Sequence, residues 1–321
     1  MYILASIFLD GLFGDPKKLP HPKCGVEAVV RFWEKRLYPN DDKKQAGVLL
    51  CSAVHITIAA AIGLILLIAE LIPAPFGTLL YCVAVLYLLY TALAWRSLKD
   101  QTLPIALSLF KEDLPGAQSE LSRVVGRDTK NLDEAGAVRA AVETIGEKFV
   151  DGVFSVLFFA AIGYAIGGPA GAVILAWLFK AVNIMNSMVG PDNERYRDFG
   201  YACAKLDDAV NFIPARLGGA IILLAGACLR YPFLRGWGIF MRDRSKHKGL
   251  NSAHGESAFA GLLGIKLGGG AEYSGVSEAR TEIGDDLKTP EAGDILRAHS
   301  ILDASVILSA LILLCLFAMC R

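Results

Sequence analysis

The chain has 321 residues, of which 54% are hydrophobic, and its formal net charge at pH 7 is zero. This composition excludes an ordinary soluble protein and indicates several membrane spans, and the balanced charge gives no reason to expect a nucleic-acid partner. The seven cysteines contain no C-x-x-C pair and the five histidines no H-x-x-x-H spacing, so we expect no disulfide framework, zinc knuckle or transition-metal site.

Hydrophobic helices are the first elements that the sequence predicts, because a helix crosses a bilayer core with about 20 mostly apolar residues. The opening MYILASIFLDGLFGDP lacks a basic start and a cleavage pattern, so we expect a short hydrophobic helix that is retained. The longer hydrophobic helices are expected near 47–72, 77–95, 153–187, 215–229 and 301–319. The expected fold is all-α: one polytopic membrane-integral domain over residues 1–321, in which amphipathic helices and loops form an interfacial polar site.

Polar segments separate these helices and carry nearly all of the lysines and arginines. They are residues 14–46, 96–152, 188–214 and 230–300. The connection at 73–76 carries no charge, so it is expected outside the cell, with the first two polar segments in the cytoplasm. We therefore expect a multi-pass protein of the cell membrane with its active site on the cytoplasmic face.

The sequence GGPAG interrupts the apolar run 153–187, which is either a tight helical hairpin or one long, kinked span. A hairpin would leave 188–214 in the cytoplasm as well. A full crossing at 215–229 would then export the basic segment 230–300, against the positive-inside tendency. Either 215–229 is re-entrant, which we favour, or 153–187 crosses once.

Acidic residues recur at helical spacing in 132–151, LDEAGAVRAAVETIGEKFVD. Glu143, Glu147 and Asp151 follow one another at i+4, so they share a face. This pattern is typical of a solvated helix with ordinary ion pairs, and it also fits a row of carboxylates that faces a site at the membrane surface.

A second acidic motif lies in 201–216, YACAKLDDAVNFIPAR. Asp207 and Asp208 precede Asn211 by four and three residues, so the amide can reach either carboxylate on one side of a helix. Oxygen ligands of this kind suit Mg²⁺, which proteins usually hold with one or two carboxylates plus substrate phosphates. The alternative is an exposed acidic turn.

Polar groups also interrupt the apolar run LAWLFKAVNIMNSMVG (175–190). Lys180, Asn183 and Ser187 follow i+3 and i+4 spacing and share a face. Such groups at membrane depth are costly unless they pair or face water, so they indicate a functional site. Lys180 alone could instead extend its ammonium to the interface.

Two further stretches are candidates. LDGLFGDPKKLPHP (9–22) places Asp10 and Asp15 around glycines before three prolines, as in a rigid segment leaving a membrane helix. NSAHGESAFAGLLGIKLGGGAEYSG (251–275) ends in a glycine run that could bring backbone N–H groups to a phosphate, although it does not fit the Walker pattern.

Together these stretches resemble the adenosylcobinamide-phosphate synthase family of cobalamin biosynthesis (CbiB/CobD). The resemblance spans nearly the whole chain and rests on motifs in the family's order: LDGLFGDPKKLPHP, GRDTKNLDEAGAVRAAVET, KAVNIMNSMVG, NERYRDFGYACAKLDDAVNFIPARL and NSAHGESAFAGLLGIKLGG. The chain departs from the family pattern at residues 148–150, at Asn186, at Pro191 and at His254-Gly255.

The resemblance implies an amide ligation, in which adenosylcobyric acid is joined to aminopropanol or its phosphate with ATP and Mg²⁺. A carboxylate is a poor acyl donor, and its phosphorylation supplies a leaving group that the amine can displace. Under this reading Mg²⁺ is held by Asp207, Asp208 and Asn211. The amine is oriented or deprotonated by Asp128, Glu143 or Asp151.

Cationic side chains would hold phosphates or the substrate carboxylate, and the candidates are Arg127, Lys180, Arg195 and Arg216. Lys180 is also a candidate catalytic residue. The corrinoid pocket would be lined by Asp15, Asn183, Asn193, Asn251 and Glu256. The implied partners are the corrinoid substrate, aminopropanol or its phosphate, the lipid bilayer and other membrane-associated enzymes of cobalamin assembly.

Two other functions stay open at this point. One is a non-catalytic membrane sensor or regulator, similar to relatives of this family that act in β-lactamase regulation. The other is a small-molecule transporter with a midplane site at the broken segment 153–187. Against the transporter, the polar residues cluster in interfacial segments and no inverted repeat is visible.

Overall fold

The computed structural model describes residues 1–16, 20–126, 128–190, 193–247, 249–273 and 276–319, with side chains omitted for 270–273 and 276–280. Within these ranges the chain is built almost entirely of helices and divides into two compact units. Unit 1 comprises Met1–Ala94 and Ser155–Asn211, and unit 2 comprises Trp95–Phe154 and Phe212–Arg321.

The helices of unit 1 are α1 (Tyr2–Phe13), α2 (Pro22–Leu37), α3 (Lys43–Leu71), α4 (Phe76–Ala92), α8 (Ser155–Val189) and α9 (Tyr201–Val210). Side-chain caps explain where two of them start. The His21 ring accepts from the Lys23 N–H and Pro22 opens α2, while Asp42 accepts from the Gln45 N–H at 3.0 Å and starts α3.

Unit 2 contains α5 (Trp95–Phe110), α6 (Leu114–Ser122), α7 (Glu134–Phe149) and a π-helical turn (Val150–Phe154) in its first stretch. Its second stretch contains α10 (Phe212–Cys228), α11 (Phe233–Asp243), α12 (Ser252–Leu263), strands β1 (Leu267–Tyr273) and β2 (Val276–Ile283), and α13 (Ala292–Met319). The antiparallel pair β1–β2 is a small addition to the expected all-α fold.

Four helical stretches are long and apolar enough to cross a membrane: Lys43–Leu71, Phe76–Phe110, Glu134–Val189 and Ala292–Met319. A fifth is reached if the bent pair formed by α9 and α10 counts as one span. α3 shows the surface expected in lipid, because Leu50, Val54 and Ile58 are buried along one stripe while Ile56 and Leu64 are exposed. The expected all-α, polytopic membrane fold is confirmed.

The apolar run after residue 153 is a helical hairpin, which decides between the two structures that the sequence left open. Gly168 has φ 59°, a left-handed conformation, and with Gly167 it breaks the helix of α8. The Phe159 and Phe179 rings then stack with centroids 5.0 Å apart, although 20 residues of chain separate them. A Cβ built on Gly163 would lie 2.1 Å from the Gly171 carbonyl oxygen, so the two arms touch through glycine.

The core of unit 2 is α12, whose residues Ala253–Leu263 are all buried. α12 crosses α7 at a close contact between two glycines, because a Cβ built on Gly255 would lie 2.1 Å from the Gly146 carbonyl oxygen. At its other end, Arg235 of α11 donates to the carbonyl oxygens of Gly261 and Leu262, both at 2.8 Å, and so satisfies the last turn.

Candidate active site

One end of unit 1 collects the polar ends of its helices. The Tyr87 hydroxyl donates to the Pro20 carbonyl at 3.0 Å, which ties the end of α4 to the start of α2. Gly47 near the start of α3 lies against the backbone of Phe199, in the turn before α9. The bases of the two hairpin arms also lie at this end, where their polar side chains contact the end of α9.

Asp207 is the centre of a hydrogen-bond network at this end. Its Oδ1 accepts from the side-chain amides of Asn183 at 2.8 Å and Asn211 at 3.2 Å, and its Oδ2 accepts from Asn186 at 3.0 Å. The Ser155 hydroxyl donates to the Asn211 Oδ1 at 3.1 Å. We call these five residues the Asp207 cluster.

Helical spacing and the hairpin reversal together assemble the Asp207 cluster. Asn183 and Asn186 are three residues apart on the second arm of α8, and Asp207 and Asn211 are four apart at the end of α9, so each pair shares a face. The reversal at Gly167-Gly168 returns the second arm to the level of Ser155, the first residue of the first arm.

The three groups that donate to Asp207 are neutral amides, which has a chemical consequence. They fix the direction of the carboxylate and stabilise its charge without cancelling it. A carboxylate held in this way at a polar helix end can bind a cation, either a metal ion with its phosphate ligands or the ammonium group of an amine.

The residues at this place fit Mg²⁺ in the manner common for phosphate substrates. Among the residues that the structure describes, no group of three or more His, Cys, Asp or Glu side chains could hold a metal ion. A magnesium ion here would therefore have one or two carboxylates, with the remaining ligands from substrate and water. Asp208 is next to Asp207 in α9, and its Oδ2 lies 3.3 Å from the ammonium of Lys205.

Other predicted residues of unit 1 lie around this end in different environments. Arg195 pairs with Glu34 at 2.9 Å, and the Tyr196 hydroxyl donates to the same carboxylate at 2.7 Å. Asn193 accepts from two backbone N–H groups of its own turn, at 3.0 and 3.1 Å. Burial and the bond to Glu34 raise the pKa of Tyr196, so its hydroxyl remains a donor at neutral pH.

Lys180 and Asp15 complete the predicted set in unit 1. Lys180 is half-buried on the second arm of α8, one turn before Asn183, as its spacing predicts. Asp15 is exposed and lies 3.5 Å from His21, so its carboxylate faces the segment that enters α2.

Unit 2 holds a second group of predicted residues. Glu143 is buried, and its Oε1 accepts from the Gly268 N–H at 2.7 Å, so a carboxylate reaches the glycine run of β1. Glu256 is buried too, and its Oε2 lies 2.8 Å from the His247 Nε2. Glu143 is therefore the carboxylate that contacts the glycine run, at the N–H of Gly268.

The other predicted residues of unit 2 are more scattered. Asp151 is half-buried in the π-helical turn and Asn251 is buried at the start of α12. Asp128 is exposed and accepts from the Lys130 N–H at 3.0 Å. The Arg216 guanidinium lies 3.5 Å from the centre of the Phe212 ring and donates to the Phe212 carbonyl at 2.6 Å. Arg127 lies outside the described residues.

The chain matches the sequence model described as CobD/Cbib protein over residues 3–302. It belongs to the CobD/Cbib family. Within the family it is 37% identical to the cobalamin biosynthesis protein CobD of Clostridium perfringens over 303 residues, which cover 94% of this chain and 92% of that one.

Two further relatives carry the same name. The protein of Desulfotalea psychrophila is 38% identical over 99% of this chain and 98% of its own length. The protein of Geobacter metallireducens is 42% identical over 90% of this chain and 88% of its own length. No solved structure gives a significant match to the chain.

Two departures from the family pattern have a structural explanation. His254 is fully buried and packs its ring against Phe240, with centroids 5.8 Å apart at 73°, so it occupies the place of an aromatic residue. Burial lowers its pKa to about 4, with a further contribution from the positive charge of Arg216, so the ring is neutral at pH 7. Gly255 allows the close crossing of α12 with α7.

Some members of these networks cannot be recognised as site residues from the sequence. Ser155 gave no signal, because a single serine at the start of an apolar helix is ordinary. Asn186 was noted as a departure from the family, although its amide donates to Asp207. Glu34 lies in the polar helix α2 and Tyr196 in the turn before α9, and the contact of both Arg195 and Tyr196 with Glu34 spans more than 150 residues of chain.

Proposed function

We propose that the chain is a membrane-bound enzyme of cobalamin biosynthesis that joins a corrinoid carboxylic acid to aminopropanol or its phosphate in an ATP-dependent amide ligation. Family membership and the printed names of the relatives support the role in cobalamin biosynthesis. The resemblance of the five motifs supports the ligation. The Asp207 cluster is the observation that carries the proposal.

The reaction has two bond exchanges. The substrate carboxylate attacks the terminal phosphorus of ATP and releases ADP, which leaves an acyl phosphate. The amine then attacks the acyl carbon, inorganic phosphate leaves, and a base takes one proton from the nitrogen. The site must therefore hold a cation near phosphate oxygens, accept a proton and fix two substrates in line.

Residues of unit 1 suit the cation-binding part of this chemistry. Asp207 presents a carboxylate whose direction is fixed by three amides, and Asp208 is the adjacent carboxylate. These two would hold Mg²⁺, which when bound would offset the charge on phosphate oxygens. Lys180 is one helical turn from Asn183, so its ammonium is a candidate to contact a phosphate or the substrate acid.

Residues of unit 2 suit a proton acceptor. Glu143 is buried, and a carboxylate is a side chain that can accept a proton from a reacting amine. Its bond to the Gly268 N–H fixes its orientation. We propose Glu143, with Asp128 and Asp151 as the alternatives, for deprotonation of the amine.

A comparison of two matched aspartates tests the proposal. Asp207→Asn keeps the shape of the side chain and removes its charge, so amide formation in isolated membranes should fall about 100-fold, since the charge would bind the cation. Asp198→Asn is the control, because Asp198 is exposed near the same end of unit 1 and pairs only weakly with Lys44, at 3.7 Å. It should keep full activity.

Complementation gives the second arm of this experiment. The unaltered chain should restore growth of a strain that cannot convert cobyric acid to cobinamide, and Asp207→Asn should not. If the unaltered chain is inserted in the membrane and fails, the proposed ligation is wrong. If Asp207→Asn retains full activity, the cluster has no part in the reaction.

A further inference from the structure

Two buried cysteines meet in unit 1. The Sγ atoms of Cys51 in α3 and Cys203 in α9 lie 3.0 Å apart, and both side chains are buried. They are separated by 152 positions in the chain, so only the fold brings them together. In contrast, Cys24, Cys228 and Cys315 are exposed.

At this distance the two sulfurs are in direct contact and not bonded. A disulfide requires sulfurs about 2.05 Å apart, so closure needs a movement of about 1 Å. Small rotations of the two side chains can supply it, since both start in contact. The two helices pack against each other at this point, which keeps the thiols together.

We propose that Cys51 and Cys203 form a redox-active dithiol, which a peroxide oxidises to a disulfide that links α3 to α9. One thiol gives up its proton and its thiolate attacks a peroxide oxygen, the O–O bond breaks, and the leaving hydroxide takes up that proton, so that a sulfenic acid and one water form. The second thiol attacks the sulfenic sulfur, the S–O bond breaks, and the S–S bond and a second water form. Two sulfurs lose two electrons in total, and the peroxide gains them.

The position of the pair allows a small oxidant to reach it. Cys51 is eight residues after Lys43, so it lies about 12 Å along α3 from the polar end of unit 1. Hydrogen peroxide is small and uncharged and can enter this shallow apolar layer. Cellular thiols reduce disulfides in the cytoplasm, so the oxidised form is expected to be transient.

Oxidation would act on the helix that carries the candidate site. Cys203 is four residues before Asp207, so both lie on one side of α9. A bond from Cys203 to Cys51 would fix this helix to α3. The inference itself does not depend on the proposed ligation, because it concerns only the two thiols.

Thiol counting in the full-length protein tests the inference. The test variant keeps Cys51 and Cys203 and replaces Cys24, Cys82, Cys228, Cys315 and Cys320 by serine. After exposure to hydrogen peroxide, the protein is denatured in detergent with a maleimide–polyethylene glycol reagent. We expect two labels before oxidation, none after it, and two again after treatment with dithiothreitol. The melting temperature of the oxidised protein should rise, because the bond restricts the unfolded chain.

Peptide mapping of the unaltered chain is a second test, which does not depend on correct folding of this variant. Mass spectrometry after the same oxidation should find the peptides of Cys51 and Cys203 joined, and Cys51→Ser should remove that species while Cys24→Ser leaves it. The inference is overturned if both thiols of the test variant still take label after a peroxide exposure that oxidises the exposed Cys24 thiol of the unaltered chain. It is also overturned if Cys203 is joined to a different cysteine.

Discussion

Two aspartates in this protein, Asp207 and Asp243, differ in the charge of their hydrogen-bond donors. Asp243 of unit 2 meets Arg242 at 2.7 Å, Lys246 at 2.7 Å and the Gly284 N–H at 2.8 Å. Burial raises the pKa of Asp243, but these bonds outweigh it and hold the pKa at about 2. Its charge is already balanced by protein cations, whereas Asp207 has neutral donors. This difference separates a carboxylate that stabilises a loop from one that can bind a ligand.

His254 leads to a prediction at the scale of the residue. Its folded pKa of about 4 is below the ordinary histidine pKa of 6.5, so the unfolded chain binds a proton first as the pH falls. Stability should therefore be full above pH 6.5 and decline from there to about pH 4, by up to about 3 kcal/mol. His254→Phe keeps a buried aromatic ring and removes the proton site.

The measurement is the melting temperature in detergent between pH 7 and pH 4. His254→Phe should lose less stability than the unaltered chain over this interval. The control is Phe259→Leu, which changes a fully buried ring of the same helix that carries no proton site, so its stability should depend on pH as that of the unaltered chain does. Equal pH profiles for His254→Phe and the unaltered chain would show that this ring does not control acid stability.

At the scale of the element, the hairpin of α8 depends on glycine at the contact of its arms. Gly163 and Gly171 face each other so closely that a Cβ on either would lie 2.1 to 2.2 Å from the other's carbonyl oxygen. The arms then bring Phe159 against Phe179 and, further down, Asn183 to the level of Ser155. The geometry of the Asp207 cluster therefore depends on the close contact between two glycines, Gly163 and Gly171.

Gly171→Ala tests this dependence. The new methyl group must push the arms apart, which should cost about 1–3 kcal/mol and lower the melting temperature by several degrees. Gly63→Ala is the matched control, because it lies in the apolar helix α3 with nothing within 4 Å of an added Cβ. Gly63→Ala should be neutral or slightly stabilising. Equal losses in both variants would contradict the close contact.

Uninterrupted apolar helices can be predicted well from the sequence, whereas helices whose first turns contain buried polar residues are predicted badly. The helix expected at 47–72 is observed as Lys43–Leu71, because nothing polar interrupts it and Asp42 caps its start. The helix expected from 301 begins at Ala292, nine residues earlier. Its added turns contain Asp294 and His299, whose polarity favours the preceding polar segment, and Asp303 follows inside the expected helix. In the structure these groups pair with Lys288, Thr102 and Lys99, at 2.5, 2.7 and 2.6 Å.

Only part of the candidate site could be predicted in this way. Spacing within a helix correctly placed Asn211 within reach of Asp207, because i to i+4 geometry is local. The bonds from Asn183 and Asn186 cross from one helix to another and follow from the hairpin reversal. The pair of Cys51 and Cys203 is of the same kind, and no spacing rule applies to residues so far apart in the chain.

At the scale of the whole molecule, the membrane sidedness of unit 1 decides where its site is reached. The polar end contains the start of α3 and the turn before α9, joined by the contact of Gly47 with Phe199. The connection at 72–75 lies at the other end of α3, whose 29 residues give a length of about 44 Å, enough for a hydrocarbon core of about 30 Å. The two ends must therefore face opposite sides of the membrane.

Labelling of single cysteines with a membrane-impermeant maleimide tests this arrangement. In a background with all native cysteines replaced by serine, we expect Asp41→Cys and Glu194→Cys to react only in inverted vesicles, and Ala74→Cys only in intact cells, because the positive-inside tendency predicts a cytoplasmic side for the basic segments. All three positions are exposed, so reactivity reports the side of the membrane and not burial. Solubilised protein, in which all three must react, is the control. Reaction of Asp41→Cys and Glu194→Cys from opposite sides would separate the start of α3 from the base of the hairpin and would contradict the contact of Gly47 with Phe199.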